Sequence, residues 1–325
     1  MCGSGAAATA AAADNCSGPA IEQYYNCTDM TCGGHGRCVK TTCVCQAGWT
    51  GVNCTDLIAG CSNTGFYSSG DPHLQSLDHR YFDVQTLGVH RLCGSWVDTL
   101  EIQACHEPWY QGARAAVNRA VAVRVASHVF AVLFNATSQS FLFYLDGAAV
   151  PNSLSSWDLG GDLTLVRSGV SWVLKRTGSG RSLVSLSTYA YAYGFINVQF
   201  TPDASYFNQT YGLCGLWDCV NDAKDQALPS GELASGWSQW ISSWQINNTD
   251  SLFVGLPYQC AEPPADYHPV DNITDIGQGN HTQAQNCCSF IQDDNVRQNC
   301  IYDVLVSGSA AAATAAVRFR LMAEN

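Results

Sequence analysis

The sequence is short of positive charge. Lysine occurs only at Lys40, Lys175 and Lys224, and Lys and Arg together number 15 against 27 Asp and Glu, for a formal net charge of -12. No basic stripe is available to neutralise a phosphate backbone, which argues against nucleic acid as a partner. Charged residues of both signs make up only 13% of the chain, so Ser, Thr, Asn, Gly or glycan must cover much of the surface. No run of 18 apolar residues occurs, and no membrane-spanning helix is expected. There is no C-x-x-C pair, no H-E-x-x-H, no G-x-S-x-G and no phosphate loop, and the eight histidines are scattered. An enzyme is therefore not expected. The opening stretch MCGSGAAATAAAAD lacks the positive start and strongly apolar centre of a secretory leader. It reads as the start of a mature or partial chain.

Cysteine is abundant instead, with 17 in 325 residues. Cytosolic proteins rarely carry so many unless they bind metal, and these spacings are not those of zinc sites. An oxidising, extracellular compartment is expected. Sequons for N-glycosylation begin at Asn15, Asn26, Asn53, Asn135, Asn208, Asn247, Asn272 and Asn280. Chance placement at this Ser and Thr content would give roughly three, so the enrichment points to a secreted glycoprotein carrying N-linked glycans. At Asn15, Asn26 and Asn53 the middle residue is cysteine, which crowds the acceptor if that cysteine is bridged.

Residues 1–26 form an Ala/Gly-rich tail, residues 27–54 a compact cysteine block and residues 55–69 a linker. From 70 to 250 the pattern is strand-like. Residues 120–125 (AVAVRV) alternate, residues 141–145 are apolar, and a DG turn follows at Asp146–Gly147. Residues 163–166, 171–174, 183–186 and 196–200 repeat the theme, separated by turns such as GGD and TGSGR. Many short strands at this spacing predict a β-sandwich or barrel. Residues 251–308 are read as a small, partly helical region pinned by Cys260, Cys287, Cys288 and Cys300, and residues 309–325 as an Ala-rich tail. The predicted fold class is mainly β.

The block CTDMTCGGHGRCVKTTCVCQAGWTGVNC, with its six cysteines and the GWTG of residues 48–51, resembles an EGF-like module. The resemblance implies bridges Cys27–Cys38, Cys32–Cys43 and Cys45–Cys54. Calcium-binding members of that family carry acidic residues before the first cysteine. IEQYYN stands there with Glu22 alone, so calcium is not expected in the module. CQAGWTGVNC also resembles a pattern for O-linked GlcNAc, which would fall on Thr50.

The stretch GDPHLQSLDHRYFDVQTLG at residues 70–88, followed by LEIQACHEPW, NRAVAVRV, YGLCGLWDC and WSQWISSWQI in that order, resembles a von Willebrand factor type D domain over roughly residues 66 to 250. In that family an aspartate early in the domain joins an Asn/Asp loop to bind calcium. The matching positions here are Asp78 with Asp218, Asn221, Asp222 and Asp225. Leu216 and Cys219 depart from the family pattern. The alternatives are a bound calcium and a solvated acidic turn braced by a bridge. Some relatives exchange disulfides through a C-G-L-C motif, but Tyr211 stands where its first cysteine would be. Cys214 and Cys219 are therefore read as separate bridge ends, with Cys61 as a partner for Cys214. The Asp–Pro bond of some relatives cleaves itself under mild acid, which marks Asp71 and Pro72 as a candidate self-cleavage pair.

Cys2, Cys16, Cys93, Cys105, Cys219, Cys260, Cys287, Cys288 and Cys300 are left without an assigned pairing. Removing the six EGF-like cysteines from 17 leaves an odd number, so at least one thiol is free or bonded to another chain. Cys2 and Cys16 in the tail are the first candidates. The two resemblances imply an extracellular structural subunit that assembles with itself or with related glycoproteins, as in mucins, clotting multimers, egg coats or algal mastigonemes. In such an assembly residues 316–321 (AVRFRL) could add a strand to a neighbour. The alternative is an adhesion or receptor ectodomain that binds a protein or glycan.

Overall fold

The computed structural model describes Cys32 and residues 36–39, 42–45, 49–57, 65–110, 112–151, 155–177, 180–190, 194–267, 281–292 and 294–307. The chain divides into two units, residues 1–62 and 63–325, each taken by itself.

In the first unit β1 (Gly36–Val39) pairs with β2 (Thr42–Cys45), and β3 (Trp49–Thr50) pairs with β4 (Asp56–Leu57), all antiparallel. Cys32 is bridged to Cys43 and Cys45 to Cys54, the pairings that the cysteine spacing implied through its resemblance. So small a unit cannot bury an apolar core, and sulfur takes its place. The bridged Cys32 and Cys54 are buried. The expected Cys27–Cys38 bridge rests on Cys27, which lies outside the described residues, as do Cys2, Cys16 and the tail.

The second unit opens with a meander of β5 (Phe66–Ser69), β6 (His73–Gln75) and β7 (Tyr81–Asp83). The chain then builds another sheet from β8 (Gly88–Ser95), β9 (Glu101–Pro108), β10 (Ala116–Val125), β11 (His128–Asn135), β12 (Ser140–Leu145) and β13 (Ala148–Ala149). It returns through β14 (Ser156–Gly160), β15 (Leu163–Ser168), β16 (Ser171–Arg176), β17 (Ser182–Tyr189) and β18 (Phe195–Phe200), which extend the meander through β5. Short strands β19 (Thr210–Tyr211) and β20 (Gln245–Ile246) both pair with β8. The result is two eight-stranded antiparallel sheets. Asn118 of β10 links them. Its Nδ2 donates to Ser68 Oγ at 2.9 Å and to the Ile196 carbonyl at 3.0 Å, and the side chain is fully buried.

Alternation in β10 predicts one wet face, yet Val121, Ala122 and Val123 are all fully buried. The chain beyond residue 250 explains this. Phe253 and Cys260 pack with Ala120, Ala122, Leu133 and Cys105, and Cys105 is bridged to Cys260 across 155 residues. Residues 251–260 therefore belong to the sandwich rather than to the C-terminal cap. Likewise Phe66–Ser69, assigned above to the linker, is a fully buried strand, because it is the strand that joins β18 to β6.

Cys214 is bridged to Cys93, not to Cys61. Pairing of Thr210 with Ser95 and of Tyr211 with Gly94 brings the following turn back over β8. The Cys214 amide then donates to the Leu92 carbonyl at 2.7 Å, and the two Cα atoms lie 5.1 Å apart. Gly212 permits the approach. Its φ is +103°, and a Cβ would lie 3.3 Å from the Arg91 and Leu92 carbonyls, so only glycine fits without strain. Cys219 is disulfide-bonded, and Cys61 lies outside the described residues.

Beyond α1 (Trp237–Ser243), helices α2 (His281–Cys288) and α3 (Asp294–Ser307) form the expected helical cap. They share a small core of Ala284, Ile291, Ile301 and Leu305, closed by Cys288–Cys300. Cys287 is a half-buried free thiol. Among the described residues no helix is long and apolar enough to cross a membrane.

Replacing Cys93 and Cys214 together by alanine releases a link spanning 121 residues. The expected loss is about 2–5 kcal/mol of unfolding free energy, read as a lower denaturant midpoint. An unchanged midpoint would contradict the role given to this bridge.

Candidate functional site

The turn between β5 and β6 carries Gly70, Asp71 and Pro72. Gly70 has φ +64°, and its amide donates to Asn197 Oδ1 on the neighbouring strand at 3.0 Å. The Val84 amide donates to the Pro72 carbonyl at 3.0 Å. These bonds hold the turn so that His73 begins β6 opposite Asp83 of β7. The imidazole is surrounded by carboxylates. Nδ1 lies 2.6 Å from Asp83 Oδ1, and Nε2 lies 2.5 Å from Asp71 Oδ1 and 3.1 Å from Asp303 Oδ1. Asp303 comes from α3, where the neighbouring Tyr302 meets the His73 ring edge-on at 5.8 Å.

Asp71, His73 and Asp303 are buried, whereas the Asp83 side chain is 51% exposed. Burial, then the charge of Asp303, pushes the Asp71 carboxyl well above the usual carboxylate range. Burial opposes charge on His73, but Asp71, Asp83 and Asp303 outweigh it and hold the imidazole well above its ordinary pKa. Neither carboxylate oxygen of Asp71 receives a properly directed hydrogen bond, despite the short approach of Nε2. His73 was counted among the scattered histidines of the sequence, and Asp71 stood out only for its bond to Pro72. Asp303 did not stand out, being 230 residues from His73; its one signal is a lone acid inside the apolar run IYDVLV.

The acidic loop expected to hold calcium is assembled differently. Asp78 is buried and accepts backbone hydrogen bonds from Asp218 at 3.1 Å and Cys219 at 3.0 Å. Arg80 donates from Nε and Nη2 to Asn221 Oδ1 at 2.9 and 2.7 Å, and from Nη2 to the Asp222 carbonyl at 2.9 Å. Lys224 Nζ lies 3.4 Å from Asp218 and 3.3 Å from Asp222. Asp222 caps the short turn at residues 223–226, and Asp225 accepts from the Asp222 amide at 3.2 Å. Burial, followed by the charge of Asp78, pushes Asp225 up to about 7. No three of these carboxylates bring oxygens within 4.8 Å of one another. Calcium needs six to eight free oxygens. Here Arg80 takes Asn221 and the Asp222 carbonyl, and Lys224 lies between Asp218 and Asp222, so the loop as arranged is not a preformed calcium site. The sequence reading placed the five residues correctly in one region but gave no weight to the two cations.

Of the sequons, Asn53, Asn208 and Asn247 are exposed, and Asn135 is half-buried at the end of β11. Asn15, Asn26, Asn272 and Asn280 lie outside the described residues. Thr50 is exposed. Cys105, Glu107 and Cys260 also have metal-like spacing, but both sulfurs are consumed in one disulfide.

A second histidine site was not anticipated. His90 of β8 and His106 of β9 stack at 4.5 Å, both fully buried. Burial pushes His90 down to about 4 and His106 well below its ordinary value, the second also through His90. Thr86 Oγ1 lies 2.9 Å from His90 Nε2.

A family model described as a teneurin-like EGF domain matches residues 28–56. The cysteine block is thus an EGF-like module, and with the disulfides of the second unit it suggests an extracellular protein. No curated protein matches the chain.

The paired histidines set a pH dependence. Their folded pKa values lie below the unfolded value near 6.5, so the unfolded chain binds protons that the folded chain refuses. Their contribution is fully present above about pH 6.5 and is lost as pH falls toward about 4. Denaturant titrations across that window should show stability falling with acid, and a His90→Gln, His106→Gln double variant should show a shallower fall. Equal slopes would contradict the neutral, buried state of the pair.

Proposed function

We propose that the chain is a secreted, N-glycosylated structural subunit of an extracellular filament or matrix, mastigoneme-like or otherwise, in which an EGF-like module precedes a type D-like sandwich. The observation that carries this reading is covalent. Bridges Cys93–Cys214 and Cys105–Cys260 close spans of 121 and 155 residues, and closing such long loops restricts the unfolded chain more than closing short ones. The resemblance over residues 66 to 250 supports the type D assignment. Two long antiparallel sheets in one unit are compatible with it.

Self-association has candidate surfaces. The sheet of β8–β13 ends in a two-residue exposed strand, Ala148–Ala149, and the other ends in β14 and β7. So short an edge as Ala148–Ala149 blunts pairing, whereas the five-residue β14 offers a longer template for an added strand. Residues 316–321 are the segment proposed to supply it, and they lie outside the described residues. Exposed sequons at Asn53, Asn208 and Asn247 would coat the remaining surface. Calcium has no part in this proposal, because Arg80 and Lys224 lie among the residues expected to hold it.

Native mass measured by light scattering, with and without reductant, tests the assembly. Large assemblies are expected. A stable monomer under both conditions contradicts the proposal and favours the adhesion or receptor alternative.

The Asp71–Pro72 bond carries a second reading, supported by the two undirected oxygens of Asp71. The carboxyl oxygen attacks the Asp71 carbonyl carbon to close a five-membered anhydride. The bond to the Pro72 nitrogen breaks, and the carboxyl proton passes to that nitrogen. Water then opens the anhydride, leaving Asp71 as a new C-terminus and Pro72 as a new N-terminus. Incubation in mildly acidic buffer, read on a reducing denaturing gel, should yield fragments 1–71 and 72–325. A single intact band removes the reading.

A further inference from the structure

We propose that Asp71, His73 and Asp303 bind one first-row divalent transition ion, with zinc the best fit, and that the ion clasps helix α3 to the opening strands of the sandwich. One donor atom from each residue lies within 4.8 Å of the other two, and all three residues are buried. The two carboxylate oxygens of the fully buried Asp71 have no directed donor. Buried polar atoms of this kind point to a missing partner.

The imidazole is already oriented for ligation. Its Nδ1 is 2.6 Å from Asp83, so when the ring is neutral the proton sits there and the Nε2 lone pair faces Asp71 and Asp303. A carboxylate behind a ligating histidine fixes tautomer and ring angle in this way and strengthens the nitrogen as a donor. A divalent ion between the three groups balances the charges of Asp71 and Asp303.

The donor set selects the metal. One nitrogen and two carboxylate oxygens suit a borderline first-row ion, and zinc accepts three protein donors plus water. Calcium would need more oxygens than the pocket offers. Zinc bonds of about 2.0–2.2 Å place tetrahedral donors about 3.3 Å apart. The Nε2 to Asp303 separation of 3.1 Å nearly matches this, and Asp71, at 2.5 Å, has to withdraw by less than about 1 Å. The ligands lie on a turn, a strand and a helix separated by 230 residues. Helices α2 and α3 have their own core and bridge, and Asp303 with Tyr302 reaches from them to the sandwich.

The test uses the full secreted chain after dialysis against a chelator. Calorimetric titration with zinc should show one equivalent bound. His73→Gln and Asp303→Asn should each weaken binding at least about tenfold, while the exposed Asp266→Asn should not. Zinc should slow amide hydrogen exchange across residues 294–307 in the unaltered chain and leave it unchanged in the Asp303→Asn variant. Cobalt(II) added to the unaltered chain should give the intense visible bands of a four-coordinate site, a readout that no variant's folding can compromise. Absence of stoichiometric zinc binding, undiminished binding in both ligand variants, or only the weak bands of hydrated cobalt would overturn the site. Binding without slower exchange in α3 would overturn the clasp.

Discussion

The Cys93–Cys214 bridge is the constraint from which the second unit takes its shape. Strand β8 pairs with β9, β19 and β20, and the bridge fastens the turn after β19 to its far end. From that turn the Cys214 carbonyl accepts the Leu77 amide at 2.9 Å. The next few residues present the amides of Asp218 and Cys219 to Asp78. One covalent link thus joins the start of the second unit, its middle and the acidic loop. Gly212 makes the link possible, because any side chain there would meet the backbone of β8.

Much of this was legible in the sequence, and the failures have identifiable physical causes. Cys32–Cys43 and Cys45–Cys54 were legible only through the resemblance to an EGF-like module, because six cysteines by themselves allow fifteen pairings. The β content was legible because short alternating runs between turn residues have few other solutions. Phe66–Ser69 was missed because its burial comes from β18, well over a hundred residues away. Cys93 was missed for the same reason: its partner is set by sheet register, which sequence spacing does not encode. Asp303 was invisible because a single acid in an apolar helix gives no clue to the histidine it meets. In the acidic loop the anions were read and Arg80 was not, since its guanidinium reaches Asn221 across 141 residues.

A chain with only 13% charged residues nonetheless buries several. Arg119 is 8% exposed and donates to the Pro108 and Trp109 carbonyls. Asp225 is 2% exposed beneath the acidic loop. The Asp71–His73–Asp303 cluster is the densest of these. Buried ionic groups seldom add net stability, but their geometry is exacting and disfavours competing arrangements. Together with the long-span disulfides they hold the second unit to one shape.

The central claim is that sulfur links distant parts of the second unit in a specific pattern. Non-reducing proteolysis of the full chain, with mass spectrometry of the linked peptides, tests it directly. The account predicts Cys93 joined to Cys214 and Cys105 joined to Cys260. Reduced thiols at these positions, or Cys214 joined to Cys61, would contradict it.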